Sequence, residues 1–289
     1  MRALILSDIH ANIDALEAVL EAAPAHDVVW NLGDVVGYNA APNAVLQRVR
    51  EIGSMFVRGN HDRACCGLSD AEDFNPIALA AVRWTQTQLD AEAIQWLKEM
   101  PRGPVDLGIV SGELKEDLAD RSQTAGSSTS SAAADSAWND KAMTGIRRRV
   151  TCVHGSLLDE DEYLLSTHDV ERQMARARNR VTFFGHTHVQ GEFAANAADE
   201  WFPLTPIYSG NDETESYELD LRESATYLIN PGSVGQPRDR DWRAAFALYD
   251  DEAQRVAFWR VPYDVRLAQM RIQRAGLPEM LASRLRVGR

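Results

Sequence analysis

The sequence predicts an α/β fold in which parallel strands come first and antiparallel strands follow. Residues 1–60 alternate apolar, β-favouring runs with amphipathic helical stretches. That β-α-β-α-β order needs crossover connections, and crossovers join parallel strands. From Val189 onward the apolar runs are short and divided by turn-forming residues, the pattern of antiparallel pairing.

The first strand is "ALILSD" (3–8), an apolar run that stops at polar residues. A helix follows over 12–23, where Ile13, Leu16, Val19 and Leu20 recur at helical spacing. "DVVWNLGD" (27–34) is a second buried strand, and "NAVLQRVREIG" (43–53) a helix closed by Gly53 at C′. "SMFVRGN" (54–60) is the third strand. Helices are predicted over 76–89, 91–99 and 169–179, and strands over 103–110, 147–156 and 180–188. Beyond Val189, "VQGEFAA", "SATYLINPGS", "RAAFALYD" and "RVAFWRVPYD" read as strands, the last two forming a hairpin around "YDDEAQ". C-terminal helices are predicted within 264–286, with Leu267, Met270 and Ile272 as apolar positions. The Ser/Ala-rich stretch at 111–146 has almost nothing to bury except Trp138, and is expected to be a flexible surface insertion in a single domain spanning 1–289. The acidic segment 197–222 is expected to be an irregular loop near the site.

The bulk properties narrow the partners. With 289 residues and 45% hydrophobic content, one large α/β domain can bury a full core. A net charge of -13 repels phosphate backbones, so no long nucleic acid is expected as a partner. A local cationic site, including bound metal, still attracts a small anion. Cys65, Cys66 and Cys152 are too few and odd in number for a disulfide framework and are expected to be buried in the core. The N-terminus enters a strand without a leader pattern, and no apolar run approaches the ~20 residues that span a bilayer. A soluble cytoplasmic protein, free to form homo-oligomers, is the expectation.

The chemistry sits at the strand ends. Asp8 and His10 follow the first strand, Asp34 the second, and Asn60, His61 and Asp62 the third. His154 ends a later strand, and His186 and His188 the next. Ligands of open α/β sheets bind just beyond the carboxyl ends of strands. In extended chain, residues i and i+2 point the same way, so Asp8 with His10, and His186 with His188, are each expected to aim at one locus. Two carboxylates, one amide oxygen and four imidazoles suit Mn, Fe, Zn, Co or Ni rather than a thiolate-rich structural zinc site. Such a set is too large for one catalytic ion and fits two ions sharing a carboxylate, ~3.5–4 Å apart.

"SDIH", "LGDVVGY", "RGNHD", "VHG" and "GHTH", in this order and spacing, resemble the calcineurin-like metallophosphoesterases, and "LINPGSVGQPRD" resembles their small bacterial and archaeal phosphodiesterase branch. The resemblance covers 1–100 and 147–262. It implies a four-layer α-β-β-α sandwich of two mixed sheets, with the parallel part drawn mostly from 1–60 and 147–188 and the antiparallel part from 189–262. It implies that Asp8, His10 and His188 hold one divalent transition-metal ion, that Asn60, His154 and His186 hold a second, and that Asp34 bridges them. Manganese is the first choice, with iron, zinc, nickel and cobalt as the others. His61 would be the general acid, with a pKa near its ordinary value, and Asp62 would orient the loop or the imidazole. The implied reaction is hydrolysis of a small phosphodiester, nucleotide-type or other, by a metal-bridging hydroxide. Phosphomonoester hydrolysis and an inactive scaffold on the same fold are the alternatives. The phosphoprotein phosphatases of this superfamily carry a further Asp and then Arg-Gly where this chain has Val36, Gly37 and Tyr38, and a Glu where it has Asp62. Those departures leave open what orients His61. Arg238, in the Pro- and Gly-rich turn 230–239, is the candidate for substrate phosphate, its planar fork matching two phosphoryl oxygens.

Overall fold

β1 (Arg2–Leu6) is buried at every position after Arg2, as befits a strand covered on both faces. It pairs in parallel with β2 (Val28–Asn31), which pairs in parallel with β3 (Met55–Phe56). The computed structural model describes residues 1–110, 113–116, 146–173, 176–196, 200–210 and 212–289. On its other side β1 meets β12 (Ala244–Asp250) antiparallel, and β13 (Arg255–Val261) and β10 (Glu215–Asp220) extend the sheet in the order β10-β13-β12-β1-β2-β3.

The second sheet is built from β4 (Val105–Val110), β5 (Glu113–Glu116), β6 (Ile146–Cys152), β7 (Val181–Phe183), β8 (Gly191–Ala195), β9 (Trp201–Leu204) and β11 (Thr226–Asn230). Its order is β5-β4-β6-β7-β11-β8-β9, with β6, β7 and β11 parallel. Both sheets are therefore mixed, with parallel strands drawn mostly from 1–60 and 147–188 and antiparallel ones mostly from 189–262, as expected; β11 (226–230) is the parallel strand outside those ranges.

Three apolar layers hold this together. Ile5, Trp30, Phe183, Tyr249 and Phe258 fill the space between the sheets. Leu16, Val45, Val82, Leu97, Ile272 and Leu281 pack helices onto the outer face of the first sheet. Those helices begin where a cap satisfies the first amides: Asn12 accepts from the Ala15 amide, Asn75 from Ile77 and Ala78, Asp90 from Ala93, and Asp264 from Leu267. Phe184, Phe193, Leu228 and Val170 cover the other outer face, where the described helix is only Thr167–Glu171. Among the described residues no helix is long and apolar enough to cross a membrane.

Several boundaries differ from expectation. β3 stops at Phe56, short of the predicted 60, because the chain turns sharply to present the site, and β7 ends at Phe183 where the strand read over 180–188 runs into its His-rich turn. The helix predicted over 169–179 ends at Glu171. Gly53 closes its helix at φ -74, not in the left-handed region. The acidic segment 197–222 contains β9 and β10; β10 alternates half-buried and exposed residues, so charge marks its solvent face rather than a loop. Glu113–Glu116, expected inside the insertion, pairs antiparallel with β4. The rest of that stretch, 111–112 and 117–145 with Trp138, lies outside the described residues.

Phe183 and Phe202 test the layering. Phe183 is 0% exposed between the sheets and Phe202 is 53% exposed. Phe183→Ala is expected to cost about 3–5 kcal/mol in urea unfolding, and Phe202→Ala to stay within about 0.5 kcal/mol.

Candidate metal centre

The carboxyl ends of β1, β2 and β3 in one sheet, and of β6, β7 and β11 in the other, converge at one end of the sandwich. Asp8, His10, Asp34, Asn60, His154, His186 and His188 are all buried there. The residues are not held in extended chain. Asp8, His10, Asp34, His186 and His188 have φ of 53°, 49°, 54°, 66° and 59°. Left-handed backbone is uncommon for residues with a Cβ and persists only where surroundings enforce it. Here backbone hydrogen bonds enforce it: the Asp8 amide donates to the Gly33 carbonyl at 3.0 Å, His10 to Asp34 at 2.8 Å, and Gly185 to His154 at 2.8 Å. Asp8 and His10 do aim at one cluster, as expected, but His186 and His188 face different ones.

One cluster joins Asp8, His10, Asp34 and His188; the other joins Asp34, His154 and His186. Asn60 belongs with the second, its Oδ1 3.2 Å from His154 Nε2. Asp34 Oδ2 is the shared atom, 3.5 Å from His10 Nε2 and 3.4 Å from His154 Nε2. His188 Nε2 lies 3.3 Å from Asp8 Oδ1 and 3.1 Å from His10 Nε2. Donors each ~2.1 Å from one ion stand about 3.0–3.4 Å apart, so these spacings suit a coordination sphere.

The proton positions make the same case. His10 Nδ1 donates to the Val36 carbonyl at 3.1 Å and His188 Nδ1 to the Gln236 carbonyl at 2.6 Å. A carbonyl only accepts, so both Nε2 atoms carry bare lone pairs toward each other. His186 Nε2 donates to the Asp161 carbonyl at 3.0 Å, leaving Nδ1 bare. Burial pushes the pKa of His10 and His188 down, and burial with the charge of His154 pushes His186 to about 3. Asp8 Oδ1 and Asp34 Oδ2 are buried without any donor. Asp8 is oriented through its other oxygen, which accepts from the Ser7 hydroxyl at 2.6 Å and the His186 amide at 3.1 Å. Lone pairs and carboxylate oxygens thus converge with nothing positive between them. That donor set fits divalent cations bound through nitrogen and oxygen.

His154 is the exception. Its Nδ1 donates to the Leu32 carbonyl at 2.8 Å, while its Nε2 faces the Asn60 and Asp34 oxygens. Burial opposes its charge, but Asp34 holds its pKa up at about 10. That raised pKa favours its protonated form, with an inner N–H toward the Asp34 oxygen.

His61 is held by rings rather than by a carboxylate. Its ring centroid lies 4.3 Å from Tyr38, 4.7 Å from Phe74 and 4.8 Å from His10, and its backbone amide donates to Asp34 Oδ1 at 2.8 Å. Gly37, at φ +93, leaves the room: a Cβ there would lie 2.5 Å from His61 Nδ1. The expected near-ordinary pKa is not found, since burial pushes it down to about 4. Asp62 turns to the loops: Oδ1 accepts from the Val36 amide and Oδ2 from the Gly59 amide, both at 3.1 Å. Burial and the charge of Asp34 push its pKa up to about 7.

Arg238 reaches the rim. Its amide donates to the His188 carbonyl at 3.1 Å and its guanidinium to the Tyr38 hydroxyl at 3.2 Å. Arg63 pairs with Glu160 and, at 2.6 Å, with Asp161, whose carbonyl receives His186, so its salt bridges fix the ligand loop. Tyr163, whose ring lies 3.9 Å from His186, was not legible in the sequence. Tyr38 was visible only as a departure from a related motif. Cys65, Cys66 and Cys152 are buried in the apolar clusters, as expected.

A family model described as the calcineurin-like phosphoesterase superfamily domain matches residues 1–253. A metallophosphoesterase of known structure from Sphaerobacter thermophilus is 34% identical, over 100% of this chain and 99% of that one, with a TM-score of 0.73. An uncharacterized protein from Methanocaldococcus jannaschii is 28% identical over 291 residues, 99% of this chain and 97% of its own. A hypothetical protein from Pyrococcus horikoshii OT3, 18% identical over 100% of this chain and 98% of that one, shares the fold with a TM-score of 0.67.

The proton inventory predicts the pH dependence of metal binding. At pH 7.5 His154, with a pKa of about 10, must lose a proton to bind an ion, whereas His186 at about 3 is already neutral. Calorimetry in buffers of different ionisation enthalpy is expected to show about one proton released per chain. Apparent affinity should then rise about ten-fold per pH unit between roughly pH 7 and 9.

Proposed function

The chain belongs to the calcineurin-like phosphoesterase superfamily, and on that premise we propose that this metal-dependent phosphohydrolase acts on a small phosphodiester of the nucleotide type. The observation that carries the diester is the aromatic lining on both flanks of the donor set. Tyr38 and Phe74 pack on His61 on one flank, and Tyr163, 44% exposed, packs on His186 on the other. A diester has an organic group on each side of phosphorus; half-buried Phe74 on one flank and Tyr163 on the other would each offer such a group a face, with Tyr38 buried behind.

Two divalent ions, manganese being the first to test, would supply Lewis acidity toward the phosphoryl oxygens and an activated water. Asp8, His10 and His188 would hold one, Asn60, His154 and His186 the other, with Asp34 shared between them. Arg238 would take a non-bridging phosphoryl oxygen with its fork. His61 would give its proton to the departing alkoxide. A phosphate anion seated against the buried ring would raise its pKa from about 4 toward the range a proton donor needs. Asp62 would keep the His61 loop in register with Val36, through the hydrogen bonds already described. The acidic surface, at a net charge of -13, favours a small substrate over a long nucleic acid.

The deciding experiment compares a chromogenic phosphodiester with the matching monoester on purified chain with added Mn²⁺ and a chelator control. Chelator-sensitive turnover that favours the diester is expected; a preference for the monoester moves the protein to the phosphatases, and no turnover with metal bound moves it to the scaffolds. Asp34→Ala is expected to lose metal and activity together. His61→Ala is expected to keep its metal, measured by elemental analysis, and to slow turnover by about 10²–10⁴, most for poor leaving groups. Loss of metal in His61→Ala would sink the proton-donor role.

A further inference from the structure

The matched family region ends at residue 253. Beyond it the chain forms helices Val265–Arg274 and Glu279–Leu285 and returns to the loop that carries Arg238, where the Arg240 amide donates to the Gly288 carbonyl at 2.8 Å. This return brings Arg284 to Tyr38. The Arg284 Cζ lies 5.7 Å from the Tyr38 ring centroid, and the Arg238 Cζ lies 5.8 Å from the same centroid. That ring is also 4.3 Å from His61 and 4.6 Å from His10. Two guanidinium groups from distant parts of the chain therefore meet on one side chain of the metal centre's wall.

The Arg238 guanidinium donates to the Tyr38 hydroxyl at 3.2 Å and to Gln236 Oε1 at 3.4 Å, and it lies against the Tyr163 hydroxyl. Its Nε is buried without a partner. Arg284 Nε donates to the Arg289 backbone oxygen. Among the described residues, neither forms an ion pair with an Asp or Glu side chain. Burial and the neighbouring charge of Arg238 both push the Arg284 pKa down. Like charges held together away from bulk water repel, and an anion between them relieves the repulsion. A single diester carries one negative charge and already faces the positive charge of a loaded donor set. Two further guanidiniums match more negative charge than that.

We propose that Arg238 and Arg284, meeting on Tyr38, form a subsite for a second phosphoryl group, so that the substrate carries a phosphate next to the scissile phosphoester. This rests on the phosphoesterase reading and narrows its substrate to oligophosphate or otherwise phosphorylated esters. Arg238 would stand between the two phosphates, one arm of its fork on the scissile phosphoryl oxygen and the other on the second phosphate, while Arg284 would take the remaining oxygens of the second phosphate and set specificity without touching the reacting atoms.

Isothermal titration calorimetry of the full, chelator-treated chain with inorganic pyrophosphate and with inorganic phosphate reads the subsite without turnover. Pyrophosphate is expected to bind at least about ten-fold more tightly than phosphate, since a second charged phosphoryl is recognised. Arg284→Ala is expected to bring the two affinities together, and Arg284→Lys, which keeps charge without the fork, to retain part of the ratio. If Arg284→Ala melts below the wild type, Arg284→Gln replaces it, because its amide can still donate toward Arg289. Equal affinities in the wild type, or a ratio unchanged in a stably folded Arg284 variant, overturn the subsite. The phosphoesterase reading fails by a different result: a metal-loaded chain that turns over no phosphoester, whatever the anion affinities.

Discussion

A carboxylate buried where both sheets end, with one oxygen left without a donor, is the constraint on which this protein's architecture turns. Asp34 is 1% exposed. Its Oδ1 is occupied by the His61 amide, and a Cβ on Gly59 would lie 2.1 Å from that oxygen, so the approach is open only to glycine. Its Oδ2 faces both clusters unpaired. A bare buried carboxylate costs several kcal/mol unless positive charge is brought to it. His154 is the nearest group that answers it, its pKa held up at about 10 by Asp34. The same oxygen is the one placed to be shared between two ions.

Holding that arrangement requires rigid loops, and the sandwich supplies them from both sheets. Left-handed turns at Asp8, His10 and Asp34 are stitched to one another by backbone hydrogen bonds. The loop after β11 is fixed from behind. Gln190 Nε2 donates to the carbonyls of Pro231, Phe246 and Trp259 at 2.9, 3.1 and 3.1 Å, and its amide donates to Asp239 Oδ2 at 3.1 Å. Arg260 also pairs with Asp239. Asp239 adjoins Arg238, so the buried polar network sets where that guanidinium stands. Side chains locked by such supports give a site its accuracy.

Much of this was legible in the chain. The run from Ala3 to Leu6, the helices after Asn12, Asn75 and Asp90, and the hairpin from Ala244 to Val261 follow local rules of period. β10 was hidden because its charged residues occupy a solvent face, and β3, found where an apolar run was read, is shorter than that run because the chain turns away after Phe56. The His61 cage was hidden because Tyr38 and Phe74 announce nothing about a histidine elsewhere in sequence. Tyr163 carried no signal at all.

The sequence by itself determined the donor types, their order and their place at strand ends, because metal-binding groups and strand patterns are both written locally. The family resemblance implied how the donors are shared out, but only the tertiary structure shows how they are brought together. His10 meets His188 across a sequence separation of 178, and Arg238 meets Tyr38 across 200. Adjacent His186 and His188 part company because left-handed backbone turns them to opposite sides of Asp34. Arg284 reaches the same wall only because the C-terminal helices fold back over it. Pairings of that kind depend on where two sheets and a returning helix come together in space, and no local spacing of residues encodes that meeting.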